Sequence, residues 1–332
     1  MRVGLAGAGR IGAGHAETLR GIEEIEEVVV ADADPARARQ VAGKLGLRAV
    51  DDVDAMFAAG PDAVVIATPT AAHAELLLRA VEADLPAFVE KPVAAGLDQT
   101  VKLLAAIRGA RAPVQVGFQR RFDPGHVAAR DAVRSGRLGW VHTVRSTTFD
   151  PAPPPDAYIP ASGGLFRDCS VHDFDAVRFV TGREVAEVLA TGANRGAPVF
   201  AEHGDVDTGA ALLTLDDGAL AALSATRYNG AGYDVRLEVF GSRDSVVAGL
   251  DDRTPLSPAG DGYRPAGPPH AGFPQRFAEA YAAELRTFVD VAAGRLPSPC
   301  PPEESLEAFY VAEACELSRA ERRAVTIEEV RR

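Results

Sequence analysis

Lysine is scarce in this chain, accounting for three of its 35 Lys+Arg residues. Cysteine is equally rare, and Cys169, Cys300 and Cys315 form no CxxC pair. An odd, scattered set builds no disulfide framework and has no zinc-site spacing, so the reading is no metal and a reducing cytoplasm. No apolar run approaches the ~18 residues of a membrane helix. Arg2 leads at once into a glycine-rich turn where a signal peptide would place its apolar region. The expectation is a protein neither secreted nor membrane-spanning. Basic surface is also in deficit: a formal net charge of -12 excludes the counterion-displacing patches of a nucleic-acid binder. What is present is length, since 332 residues exceed the size at which single cores stop growing, and two domains are expected.

The first motif is Gly7-Ala8-Gly9-Arg10-Ile11-Gly12, entered from an apolar strand and continued by a helical pattern to about Leu19. A second apolar strand, Val28 to Ala31, ends at Asp32, twenty residues after Gly12. In such a unit Gly7 makes the tight turn, Gly9 lets the backbone approach a pyrophosphate, and Gly12 lets helix and strand pack closely. The helix N-terminus, at Arg10 and Ile11, offers N–H groups and the positive end of its dipole. Asp32 stands where a carboxylate accepts from a ribose 2′-OH and repels a 2′-phosphate, favouring NAD over NADP. Arg37 tempers that preference, because it can reach a phosphate or stack on adenine.

Apolar strands near Val3, Val28, Val64, Phe88 and Val114 alternate with helical stretches such as Pro35 to Leu45 and Ala71 to Ala83. This alternation predicts a doubly wound parallel sheet over residues 1–119. Residues 120–332 read as an α/β domain with a large, mostly antiparallel sheet. Its strands are expected near 139–149, 184–193, 206–215, 219–227, 234–240 and 245–249, with turns at Asp216-Asp217-Gly218 and Gly241-Ser242. Ala210 to Leu215 and Ala219 to Ala225 are apolar or small on both sides, which predicts cover from helices on one face and from a second subunit on the other. A closed barrel or intramolecular cover is the alternative to that homo-oligomer. Pro151 to Pro155 and Pro255 to Pro274 read as ordered loops.

Two constellations carry chemistry. Lys91, between Glu90 and Pro92, ends a buried strand in a chain that otherwise uses arginine. An ammonium is a compact donor whose pKa responds to burial, unlike a guanidinium, though a snorkelling strand-end lysine has the same placement. In Gly163 to Asp173 the apolar spacing is helical from about Phe166 to Val180, which sets Asp168 and His172 four residues apart on one face. A carboxylate can hold the imidazole tautomer while the other ring nitrogen takes a hydroxyl proton, or the two can be a surface ion pair. Asp173 and Asp175 read as solvated or capping charges. His15, His126, His142, His203 and His270 lack partner spacing and read as structural or surface residues.

Gly7 to Gly12, Thr68-Pro69 with His73, Glu90-Lys91-Pro92, GFQRRFD at Gly117 to Asp123 and GGLFRDCSVHDFD at Gly163 to Asp175 together resemble the Gfo/Idh/MocA oxidoreductases, and among them the inositol 2-dehydrogenases. The resemblance spans nearly the whole chain. It implies a Rossmann domain followed by an α/β domain whose open sheet mediates dimers and tetramers. It implies NAD, no metal, and oxidation of a ring hydroxyl of a cyclitol or sugar, with Lys91, Asp168 and His172 as the catalytic residues. It further implies that Glu90, Thr68, Pro69 and His73 lie by the cofactor and that Arg121 and Tyr233 join the substrate site. Plainer readings stand beside these: His73 as a helix-start cap, Arg120 and Arg121 as an ion-pair cluster, Tyr233 as core. Phe149 precedes Asp150 to Pro155 where many inositol dehydrogenases carry an arginine; if that loop roofs the substrate, a hydroxyl-binding donor is lost and a larger or less polar ring, such as a sugar, an aminosugar or a substituted cyclitol, becomes acceptable. Two other classes share the fold: a non-catalytic dinucleotide and sugar sensor, and an NAD-dependent glycosidase.

Overall fold

The computed structural model describes residues 1–262 and 267–331. They form two units, Met1–Phe122 with Glu279–Leu306, and Asp123–Ala278 with the chain from Glu307 onward. In the first unit β1 (Arg2–Ala6), β2 (Glu27–Ala31), β3 (Arg48–Ala49), β4 (Ala63–Ile66), β5 (Ala87–Glu90) and β6 (Val114–Gly117) make a six-stranded sheet in the order β3-β2-β1-β4-β5-β6. Every pairing in it is parallel, with Leu5 opposite Val30 on one side and Val65 on the other. Helices α1 (Arg10–Arg20), α2 (Pro35–Leu45), α3 (Val53–Ala58), α4 (His73–Glu82) and α5 (Leu97–Ile107) connect the strands. Because helices cover both faces, β4 and β5 are buried along their whole length and read as unbroken apolar runs.

The single division expected after residue 119 is too simple, for the chain returns to this unit after its excursion into the second. Helix Ala278–Ala292 lays Leu285, Phe288 and Val289 onto Val3, Leu5, Val28 and Phe88, and the rings of Phe88 and Phe288 lie 5.8 Å apart. Each such buried side chain contributes about 1.5–3 kcal/mol, which is reason enough for the segment to fold here. Further along, the Cys300 carbonyl accepts from the Val116 N–H at 2.8 Å and gives edge strand β6 a backbone partner.

The second unit is built on β7 (Val141–Phe149), β8 (Val185–Ala193), β9 (Thr208–Leu215), β10 (Leu220–Thr226), β11 (Asp234–Gly241), β12 (Ser245–Ala248) and the short β13 (Val325–Thr326). Their order is β12-β11-β7-β10-β9-β8-β13, and β7 with β10 is the one parallel pair. Helices α6 (Pro124–Arg134), α7 (Ile159–Ser162) and α8 (Val171–Thr181) belong to it.

Along β9, Gly209, Ala211, Leu213 and Leu215 are buried, while Ala210 and Leu212 face outward. Burial therefore alternates strictly although hydropathy does not. The outward face carries the exposed side chains Leu189, Leu212 and Leu220; Leu189 stands opposite Leu212, Leu212 also opposite Ala222, and Leu220 between two threonines.

Asp173 and Asp175 correct the sequence reading: both are buried on α8. Two inward-facing residues of β7 are hydroxyls, and Ser146 and Thr148 donate to Asp173 Oδ1 at 2.6 and 2.8 Å. A buried carboxylate tolerates desolvation when it is satisfied in this way. The Pro151 to Pro155 stretch leads into an ordered turn at Asp156–Tyr158. Of the Pro255 to Pro274 loop, residues 263–266 lie outside the described residues.

Candidate active site

The glycine loop shows three different constraints. Gly7 has φ +99°, and a Cβ there would meet the Ala67 carbonyl oxygen at 2.5 Å. A Cβ on Gly12 would fall 2.8 Å from the Gly7 carbonyl carbon and nearer still to its oxygen. Gly9 is the opposite case, since a Cβ there would meet nothing within 4 Å. Packing explains Gly7 and Gly12, whereas Gly9 borders open space beside the start of α1. Gly9 is also the N-cap, and no side chain caps that helix or places an acid in its first turn. Uncapped N–H groups at a helix N-terminus suit an anion.

Asp32, 6 % exposed at the end of β2, closes the loop from the far side. Its Oδ2 accepts from the Ala8 N–H at 2.7 Å, and its Oδ1 from the Asp34 N–H at 2.8 Å and from Arg37 Nη1 at 3.1 Å. Arg37 is thus drawn onto the carboxylate. An open backbone cradle, an uncapped helix start and an acid at the next strand end together fit NAD.

Glu90 is tied to a residue the sequence left without a partner. Its Oε1 lies 2.7 Å from His15 Nε2, both side chains are buried, and the His15 ring stands edge-on to Phe88 and Tyr281. A Cβ on Gly117 would come within 2.9 Å of Glu90 Oε2, so a side chain there would have to displace the Glu90 carboxylate. Half-buried Lys91 follows, joined to Pro92 by a cis peptide. His73, 1 % exposed at the first position of α4, is neither a solvated cap nor a surface group. Its Nδ1 is 2.8 Å from the Pro92 carbonyl and its Nε2 2.8 Å from the Thr68 carbonyl, so the ring staples the Thr68-Pro69 turn to the segment that carries Lys91.

In the second unit the continuous α-helix expected over 166–180 begins instead as a π-helical turn, Phe166–Ser170, before α8. Asp168 lies in that turn and His172 at the second position of α8, so the wider turn changes the angle between them. Asp168 Oδ2 accepts from Arg227 Nη2 at 2.7 Å and Oδ1 from the Tyr158 hydroxyl at 3.1 Å. Desolvation, and after it the Asp168 charge, push the Tyr158 pKa up, which keeps that hydroxyl a donor. Arg227 Nη1 reaches Asp150 Oδ2 at 3.1 Å and Cys169 Sγ at 2.7 Å. Burial raises the Asp150 pKa; Arg227 works against the rise and the neighbouring Asp168 charge adds to it.

The remaining expected residues are held within their own units. Arg121 is buried, with Nη2 on Glu304 at 2.9 Å and Nη1 on the Pro299 carbonyl at 3.1 Å. Tyr233 is buried just before β11, its backbone bridged to His270. Phe149 follows the strand alternation of Arg145 and Thr147, opposite in sense to Thr148, whose hydroxyl meets Asp173 on α8. Its side chain therefore leaves β7 on the face away from α8. Arg227, Asp150, Tyr158 and His15 had no local signal: Arg227 is 59 residues from Asp168 and His15 is 75 from Glu90. Among the described residues no group of three His, Cys, Asp or Glu side chains could hold a metal.

Residues 1–118 match the oxidoreductase family with an NAD-binding Rossmann fold, and residues 126–247 match the GFO/IDH/MocA C-terminal domain. The chain is 40 % identical to an inositol 2-dehydrogenase of Rhizobium meliloti over 98 % of its own length and 99 % of the relative's. Among solved structures, a myo-inositol dehydrogenase from Corynebacterium glutamicum superposes with a TM-score of 0.90 at 34 % identity, covering 98 % of both chains. The scyllo-inositol dehydrogenase of Lactobacillus casei, solved with NAD(H) and scyllo-inositol bound, superposes with a TM-score of 0.87 at 30 % identity, covering 99 % of both chains.

Proposed function

The chain belongs to the Gfo/Idh/MocA oxidoreductase family, and from that membership we propose that it is an NAD-dependent dehydrogenase oxidising one ring secondary alcohol of a cyclitol to the ketone. The observation that carries this reading is the presence, in one chain, of an open glycine loop facing Asp32 and of an Asp168 carboxylate, four residues before His172, whose two oxygens are each held by a donor. The names of its relatives, several of them inositol dehydrogenases, support the substrate class.

Gly7, Gly9, Arg10, Ile11 and Gly12 with Asp32 hold the dinucleotide, with Thr68, Pro69 and His73 shaping its nicotinamide end. When bound, NAD supplies the acceptor for the hydride lost from the carbinol carbon. His172 takes the hydroxyl proton while Asp168 orients the imidazole and stabilises its cationic form. Lys91 donates to the oxygen on which negative charge grows, an interaction strongest in the transition state and so expressed in kcat. The C–H bond thus breaks with its electron pair leaving as hydride, the O–H proton passes to His172, and a C=O bond remains. Arg121 and Tyr233 are assigned to ring hydroxyls.

The first unit is the NAD-binding part and the second carries substrate and subunit contacts. A homo-oligomer, dimer or tetramer, is proposed to form across the outward sheet face, whose Leu189, Leu212 and Leu220 are exposed in the single chain. Three scattered cysteines that build no disulfide framework suit a cytoplasmic location. Incubation with NAD and a panel of inositols and sugars at mildly alkaline pH, followed at the NADH absorbance band, tests the activity. Net NADH with a cyclitol is the expected result; no NADH with any member of the panel would overturn it.

A further inference from the structure

We propose that Arg227 is a positioning residue of this dehydrogenase, a buried fork that holds the Asp168 carboxylate in working orientation by bridging it to Asp150. The proposal rests on the reading of Asp168 as part of the acid–base unit.

The Arg227 side chain is 5 % exposed, just beyond the end of β10, and its two terminal nitrogens diverge onto different partners. Nη2 meets Asp168 Oδ2 at 2.7 Å; Nη1 meets Asp150 Oδ2 at 3.1 Å and Cys169 Sγ at 2.7 Å. Asp168 and Cys169 sit in the π-helical turn, Asp150 follows β7, and Tyr158 reaches Asp168 from the turn after the Pro-rich loop. One planar cation therefore ties the end of its own strand to two other stretches of backbone, at the residue whose orientation the proton transfer depends on. A lysine cannot reproduce this, because a single ammonium lacks the fixed fork that serves two carboxylates at once.

Charge balance gives Arg227 a second effect. Two carboxylates and one guanidinium leave the cluster with one excess negative charge when both acids are ionised. Removing the cation leaves two like charges in a partly buried site, and such a pair relieves itself by taking up a proton. Asp168 is then neutral, or shares a proton with Asp150, over a wider range of pH, and the imidazolium forming on His172 loses its counter-charge.

Arg227→Gln and Arg227→Lys test this beside Asp168→Asn. Arg227→Gln is expected to lower kcat at least about tenfold, leave KM for NAD within about twofold, and move the acidic limb of the kcat/KM profile up by about one pH unit. Arg227→Lys keeps the charge, so its limb stays near the wild-type position while kcat remains depressed. A cofactor-free readout accompanies these: the thermal midpoint of Arg227→Gln falls further behind wild type as pH rises through the carboxylate range. Both limbs unmoved, with only the midpoint lowered equally at every pH, would mean ordinary core packing and overturn the proposal. Where Arg227→Gln does not fold, wild-type kcat in Arg227→Lys overturns it. If Asp168→Asn loses turnover while the Arg227 variants keep it, Arg227 falls alone; if Asp168→Asn keeps turnover, the role of Asp168 falls and Arg227 with it.

Discussion

Gly9→Ala and Gly12→Ala insert the same methyl group three residues apart and are expected to fail in opposite ways. At Gly12 the new Cβ is 2.8 Å from the Gly7 carbonyl carbon, and the obstacle is backbone that cannot rotate away. Forcing α1 off β1 costs about 1–3 kcal/mol, which for a unit of this size lowers the thermal midpoint by about 2–4 °C per kcal/mol. At Gly9 there is nothing within 4 Å, and the residue has φ -70°, a value alanine adopts freely. The loss of unfolded-state entropy, about 0.4–1 kcal/mol, is offset by the poorer N-cap propensity of alanine, about 0.5–1 kcal/mol, which leaves Gly9→Ala about as stable as wild type. The open space is needed only when the pyrophosphate arrives. A methyl group there should weaken NAD by tenfold or more, about 1.4 kcal/mol. Thermal melts without cofactor, paired with NAD titration calorimetry, read the two effects separately. Gly9→Ala binding NAD like wild type would refute the assignment of the loop as the phosphate cradle. Gly12→Ala melting like wild type would refute the packing argument.

Lys91→Arg keeps the charge but changes its shape, and kcat should fall about 10²-fold with NAD affinity little changed; turnover within about twofold of wild type would remove Lys91 from the chemistry. Asp123, the N-cap of α6, is buried with Oδ2 on His126 Nδ1 at 2.7 Å and Oδ1 on Arg276 at 2.8 Å. Burial pushes its pKa up, but these two partners prevail and hold it far below the usual aspartate range. A depressed folded-state pKa contributes stability above the unfolded value and loses it as pH falls toward the folded one. Asp123→Asn should therefore lower the thermal midpoint at neutral pH and flatten its decline in acid, and a decline as steep as wild type would contradict the pairing. Leu212→Glu places a charge in the middle of the outward sheet face, and sedimentation should show a smaller assembly than wild type; an unchanged mass would place the subunit interface elsewhere.

The glycine loop and its acid were legible because their requirements are local. A turn with positive φ at Gly7, a helix start at Arg10 and a strand ending at Asp32 are set by neighbours within some thirty residues, whereas the close approach of Ala67 to Gly7 comes from the adjacent strand β4. The strands of the second sheet were placed for a similar reason, by turn residues and apolar runs. Asp173 was misread because a charged residue on a helix normally faces water, and nothing nearby announces that Ser146 and Thr148 wait across the sheet.

By itself the sequence determined the two-part architecture and marked the Gly7 to Gly12 loop, Asp32, Lys91, Asp168 and His172 as candidates, since backbone geometry and residue chemistry are written in short spans. Only the tertiary structure decided how those groups are held. His15 on Glu90, His73 between two carbonyls and Arg227 between two carboxylates are all long-range pairings or staples, joining loops that strand order brings side by side. The physical reason is that a hydrogen bond is indifferent to separation along the chain, whereas periodicity and spacing report only on neighbours in it.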